Sequence, residues 1–133
     1  MTEAAAAASV SNVSAEWGRA EERAAAGAPC REAFDVATCR ALADTAVLAE
    51  LVLPFVRVGG ALVAAKGPAP HAEVATASAA LNRMGSDAGA VGIAEVASEG
   101  PLGPRTVVTA PKVKKTPSKY PRPPSTIKKK PIR

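Results

Sequence analysis

Apolar and polar positions change period twice across residues 34–67, FDVATCRALADTAVLAELVLPFVRVGGALVAAKG. A short apolar run over 34–37 ends at Thr38, Cys39 and Arg40. Leu42, Val47, Leu48, Leu51, Val52 and Phe55 then recur at spacings near three, four and seven, which predicts a helix. Gly59-Gly60 breaks that period, and a second apolar run over 61–65 ends at Lys66-Gly67. Strand, crossover helix, strand is the unit of a parallel sheet. Residues just past the carboxyl ends of two such strands share the edge where open α/β sheets bind ligands. Arg40 and Lys66 occupy those two places.

The remaining pattern is weaker. An Ala-rich stretch over 2–9 reads as the end of a helix, and residues 13–17 alternate like a short strand. Gly18-Arg19-Ala20-Glu21 follows that strand, and residues 21–26 begin a helix that stops at Gly27. Pro54 inside the central apolar period predicts a kink or an end there. A helix is expected over 71–84, with Val74, Leu81 and Met84 inward and Gly85 as its stop. The glycine-containing run over 85–92 leaves a helix and enters a strand. A phosphate-cradling loop must do the reverse, so this one reads as a plain connection. Strands are expected over 91–97 and 105–110, antiparallel to each other, with a turn-rich loop over 99–104. From Pro111 onward Pro and Lys dominate, which predicts a disordered tail. The chain therefore divides into a folded part, 1–110, and a tail, 111–133. No period of solenoid length repeats.

Composition alters this picture in two ways. Aromatic residues make up only 3% of the 133, so the core must rest on Ala, Val and Leu and promises modest stability. Charge is split along the chain. Residues 1–100 carry 7 basic and 12 acidic side chains, whereas residues 101–133 carry 10 basic and no acidic ones. Such a tail suits a polyanion. Its lysines, Arg122 and Tyr120 are interleaved with prolines, an extended cationic arrangement that fits a phosphate backbone with Tyr120 stacked on a base. The plainer alternative is a solubilising tail.

Other chemistries find little support. His71 is the single histidine, so neither a histidine dyad nor a multi-histidine metal site is available. Cys30 and Cys39 are too few and too isolated for a disulfide framework or zinc. Arg40 beside Cys39 invites a lowered thiol pKa, but with no base nearby in sequence Cys39 reads as a small packing residue. No apolar run reaches the length of a membrane span, and the first ten residues lack the grammar of a signal or transit peptide.

Taken in order, GRAE after a strand, FDVATCRA, LPFVRVGGALVAAKG, RTVV and the closing TPSKYPRPPSTIKKKPI resemble one family. It is the small-subunit ribosomal RNA guanine-N7 methyltransferase family, also called glucose-inhibited division protein B. The resemblance runs from about residue 2 to residue 132 and covers the C-terminal part of that family's length. It implies an α/β fold, the C-terminal part of a Rossmann-like sheet, with S-adenosyl-L-methionine bound at its carboxyl edge. It implies that Ala20 and Glu21 lie against the adenosine, and that Arg40 contacts the cofactor or positions the guanine as the candidate catalytic residue. Lys66 and Arg105 match basic positions facing small-subunit ribosomal RNA, joined by Lys119, Tyr120 and Arg122 of the tail. N7 of guanine is already nucleophilic, so positioning and charge complementarity matter more than a strong base.

The family's glycine-rich turn after its first strand and the acidic ribose-binding region after its second have no counterpart here. The chain thus reads as a truncated form, inactive or nearly so by itself. Thr106, where bacterial members usually carry histidine, resembles the plant and algal branch and implies a plastid, with the cytoplasm as the alternative. The rival function is a non-catalytic RNA-binding fragment acting through the basic tail. A product with no function is a third reading.

Overall fold

The computed structural model describes residues 8–40, 43–96 and 104–133. The expected helix over 2–9, apart from its last two residues, and nearly all of the loop over 99–104 lie outside them, as do Leu42 and Ala97. A single-turn helix, α1 (Ala20–Arg23), precedes strand β1 (Phe34–Arg40). Helix α2 (Thr45–Val52) continues through a 3-10 turn, Leu53–Phe55, into strand β2 (Val56–Lys66). Two short helices follow, α3 (His71–Thr76) and α4 (Ser78–Arg83), then strands β3 (Gly92–Val96) and β4 (Arg105–Pro111), and finally helix α5 (Pro124–Lys129).

The strands form one sheet in the order β1-β2-β4-β3. β1 and β2 are parallel, and β4 is antiparallel to both β2 and β3. The parallel unit and the antiparallel pair are those that the hydrophobic periods predict. Residues 13–17, in contrast, form no strand, and Trp17 is fully exposed. The helix expected over 21–26 is one turn, and the one expected over 71–84 is interrupted at Ala77.

Alternation sets the two faces of the sheet. Leu62 and Ala64 of β2, with Val108 and Ala110 of β4, point into the core. Leu48, Ala49, Val52 and Leu53 from the crossover, and Val74, Ala80, Leu81 and Met84 from the later helices, cover that side. Pro54 ends α2 without breaking the crossover, because it falls in the 3-10 turn, where a missing N–H costs little. Asp44 caps α2 by accepting a hydrogen bond from the Val47 amide at 3.0 Å.

Gly59-Gly60 lies inside β2 and does not precede it. The register to β1 shifts there: Phe34 faces Val56, but Val36 faces Ala61. Gly59 takes φ +88°, and a Cβ on Gly60 would sit 2.2 Å from the Asp35 carbonyl oxygen. The glycine pair thus admits a bulge that brings two backbones into close contact. Gly60→Ala is expected to cost about 2 kcal/mol in urea unfolding. Gly67→Ala, where nothing lies within 4 Å of the added carbon, serves as the neutral control.

The disordered tail expected from Pro111 onward is corrected by the structure. Tyr120, Ile127 and Ile132 are buried, each contributing roughly 1.5–3 kcal/mol of apolar burial. Polar groups far away in sequence tie the segment down. The Arg31 guanidinium donates to the carbonyls of Ala24, Tyr120 and Thr116, each at 2.8 Å, and to that of Pro117 at 3.1 Å. Glu32 accepts from the Thr116 amide at 2.7 Å. Buried Lys112 donates to the Leu53 carbonyl at 2.9 Å and to the Thr116 hydroxyl at 2.5 Å. Proline and lysine dominate the composition, but a few well-spaced apolar side chains and these anchors supply the packing.

Candidate functional site

The parallel pairing of β1 with β2 brings their carboxyl ends to one edge. Arg40, the last residue of β1, stands opposite Ala65, one residue before Lys66. Parity then separates the two cations. Arg40 shares its face with Val36 and Thr38, away from the core, and is exposed. Lys66 shares the face of Leu62 and Ala64 and turns inward, with only 11% of its side chain exposed.

Lys66 therefore stitches the crossover together and does not face a ligand. Its Nζ donates to the Glu73 carboxylate at 2.6 Å and to the Ala43 carbonyl at 2.7 Å. The same Glu73 oxygen accepts from the Thr45 amide and hydroxyl, both at 2.5 Å. Burial pushes the Glu73 carboxyl up, but the hydrogen bonds from Lys66 and Thr45 and the lysine's charge outweigh it and hold the carboxyl below its ordinary range. The RNA role expected for Lys66 is corrected accordingly: the ammonium is engaged on the helical side of the sheet.

Arg105 takes the position by Arg40 that Lys66 vacates. It opens β4 opposite Val96 and lies on the face of Val107, which pairs with Ala65, the partner of Arg40. Two guanidinium groups thus flank one face of the carboxyl edge, neither with a partner among the described residues. Thr106, after Arg105, is buried and donates to the Gly67 carbonyl at 2.7 Å, closing the end of β2. The Cys39 thiol is pushed up by burial against the lowering charge of Lys66, so it is not activated. Among the described residues no group of three His, Cys, Asp or Glu side chains comes together. No helix among them is long and apolar enough to cross a membrane.

Ala20 opens α1 and is half-buried. Glu21, next to it, has 14% of its side chain exposed. With Ala43, Val47, Leu51, Ile127 and Lys128, Glu21 lines a mostly apolar cavity of about 290 Å³ beside the start of α2. An apolar wall with one carboxylate is chemistry that suits a nucleoside.

The tail residues divide. Lys119 is exposed, with its Nζ 5.4 Å from the centroid of the Tyr120 ring. Tyr120 is only 6% exposed and packs in the core, so its ring cannot stack on a base. Arg122 donates from Nη2 to the buried Glu50 carboxylate at 2.6 Å and from Nε at 2.8 Å, so it is already paired. The RNA contacts expected of Tyr120 and Arg122 are therefore corrected to structural roles. Glu50 is the residue that sequence reading missed; a lone carboxylate inside the apolar period of α2 was the available sign.

A family model described as GidB, rRNA small subunit methyltransferase G, matches residues 1–94. Curated relatives carry the same name. The protein called ribosomal RNA small subunit methyltransferase G in Limosilactobacillus fermentum is 42% identical over 86% of this chain and 46% of its own length. That of Leuconostoc citreum is 46% identical over 91% of this chain and 49% of its own length. That of Clostridium novyi is 42% identical over 92% and 49%. The chain spans about half the length of the curated relatives it matches. The mixed α/β architecture with its four-stranded sheet agrees with that match, and the chain belongs to the rRNA small subunit methyltransferase G family.

Proposed function

We propose that this chain is the C-terminal portion of an S-adenosylmethionine-dependent enzyme that methylates guanine N7 in small-subunit ribosomal RNA. The observation that carries the reading is the shared placement of Arg40 and Arg105. Both sit on one face of the carboxyl edge, exposed or half-exposed, with no carboxylate bound among the described residues. Two guanidinium groups so placed draw in an anionic strand and hold the purine, which is the work the reaction needs, since N7 is nucleophilic without a base. The cofactor, when bound, supplies an electrophilic methyl group.

The residues present fit one part of that cofactor. Glu21 and the apolar cavity it lines beside α2 suit the adenosine, whereas Ala20 lines a neighbouring hollow with Gly18, Phe34 and Phe55. The described residues offer no corresponding cradle for its amino-acid end. Exposed apolar groups at the free edge of β1 support the view that a further part of the domain covers them: Phe34 is 46% and Val36 52% exposed. Thr106, similar to the plant and algal branch, supports a plastid as the place of work.

Isothermal titration tests the reading. This chain alone is expected to bind S-adenosylmethionine more weakly than micromolar, that is, with less than about 8 kcal/mol of binding free energy. Joined to the preceding half of a full-length relative, it is expected to bind in the micromolar range and to methylate RNA. In that joined protein Arg40→Ala is expected to lower kcat/KM at least tenfold. An unchanged rate would remove Arg40 from the site. Micromolar affinity of the chain alone would overturn its incompleteness.

A further inference from the structure

A second cationic surface among the described residues lies away from the carboxyl edge. Arg83 at the end of α4, Lys114 and Lys115 after β4, and Lys119 line an open cleft of about 520 Å³, with Asn82 and Tyr120 in its wall. All four cations are exposed, no carboxylate lines the cleft, and none of the four is ion-paired among the described residues.

The cleft is built, not incidental. Gly85 takes φ +86°, and a Cβ there would fall 2.1 Å from the Lys114 carbonyl oxygen. The Val113 and Lys114 amides donate to the Gly85 carbonyl at 2.8 and 2.9 Å. Arg31 fixes the floor by holding the Thr116, Pro117 and Tyr120 carbonyls. Lysines 114, 115 and 119 therefore project from a fixed backbone beside Arg83.

Its position gives it meaning. Lys112 pairs with Gly59 and Gly60, near the amino end of β2, whereas Arg40 and Arg105 mark the carboxyl end. Six residues of strand separate Gly60 from Lys66, about 20 Å. A single small ligand cannot bridge that distance, but a nucleic acid strand with a charge at every nucleotide can.

We propose that this amino-edge cleft is a second RNA contact, gripping the phosphate backbone of the substrate RNA at a distance from the reacting base. The proposal rests on the RNA reading given above. It supplies affinity and orientation chiefly through charge, since three of its four cations are lysines, which are point charges on flexible stems.

Filter binding of the full chain to a small-subunit ribosomal RNA fragment, across a series of salt concentrations, tests it. The variant R83Q/K114Q/K115Q/K119Q is expected to reduce the steepness of log K against log salt by about 3, at roughly 0.7–0.9 per lost phosphate contact, and to weaken low-salt binding at least tenfold. Neutralising exposed Lys129 and Lys130 at the end of α5 is expected to change the slope much less. An equal loss from that control, or an unchanged slope in the cleft variant with a native circular dichroism spectrum, overturns the cleft. Absence of salt-dependent RNA binding by the unaltered chain overturns the RNA reading itself, and the cleft with it.

Discussion

Arg122→Ala is expected to destabilise the fold by about 3 kcal/mol, at the lower end of what breaking a buried ion pair costs. Glu50 has 1% of its side chain exposed and accepts from the Arg122 backbone amide at 2.9 Å as well as from its guanidinium. Removing the guanidinium leaves a carboxylate inside the helical layer with the backbone bond alone. Arg122 is itself 24% exposed, so water reaching the vacated space softens the loss. In urea the midpoint should fall without a change in slope, and thermal unfolding should shift down by on the order of 10 °C. Replacing both partners, E50L/R122L, should recover much of the loss, because two apolar side chains leave no stranded charge. If the segment after Pro111 were merely solvated, Arg122→Ala would cost under about 0.5 kcal/mol, as surface changes do. That outcome would separate residues 111–133 from the fold.

Much of the sheet was legible because it rests on local pattern. The two apolar runs around a 3.6-residue period gave the parallel pair, and strands at 92–96 and 105–111 followed from alternation. The bulge was not legible, since Gly59-Gly60 breaks a period equally well before a strand or within one. The inward turn of Lys66 could have been read. It stands an even number of residues after Leu62 and Ala64, and period two places all three on one face, where a lysine at the strand end can reach Glu73. Docking of the tail depended on Arg31, Glu32 and Glu50, which lie 72 to 89 residues from their partners, and no local period connects such groups. Composition alone therefore favoured disorder, and the assignment of Tyr120 and Arg122 to RNA followed from it. At the edge itself, Arg40 was found because strand ends are visible in sequence. Its pairing with Arg105 across the shared face needed the register.

Lys112 should make stability rise with pH where most proteins level off or decline. Burial pushes its ammonium down from an ordinary 10.5 to about 8, opposed by the charge of Glu32, whose carboxylate lies 3.6 Å away. The guanidinium of Arg31 adds a further lowering influence. Below pH 8 the lysine is protonated in both folded and unfolded chains, and the cost of burying its charge is fully present. Between 8 and 10.5 the unfolded chain holds the proton while the folded chain has released it, so stability must rise with pH across that window. From pH 8 to 10 the gain is about 2 kcal/mol. The Cys39 thiol acts in the opposite sense. Its pKa is raised above 9.0 by burial, so its contribution falls as pH climbs beyond that value. Comparison with Lys112→Met cancels the thiol and isolates the lysine. Chemical denaturation of both proteins at half-unit steps should show the unaltered chain gaining on the variant by about 2 kcal/mol between pH 8 and 10. A difference that stays flat would mean that the ammonium is as well solvated in the folded state as in the unfolded one. The anchor beneath β4 would then be a wet surface contact, and Thr116 would rest on Arg31, Glu32 and the Met84 carbonyl.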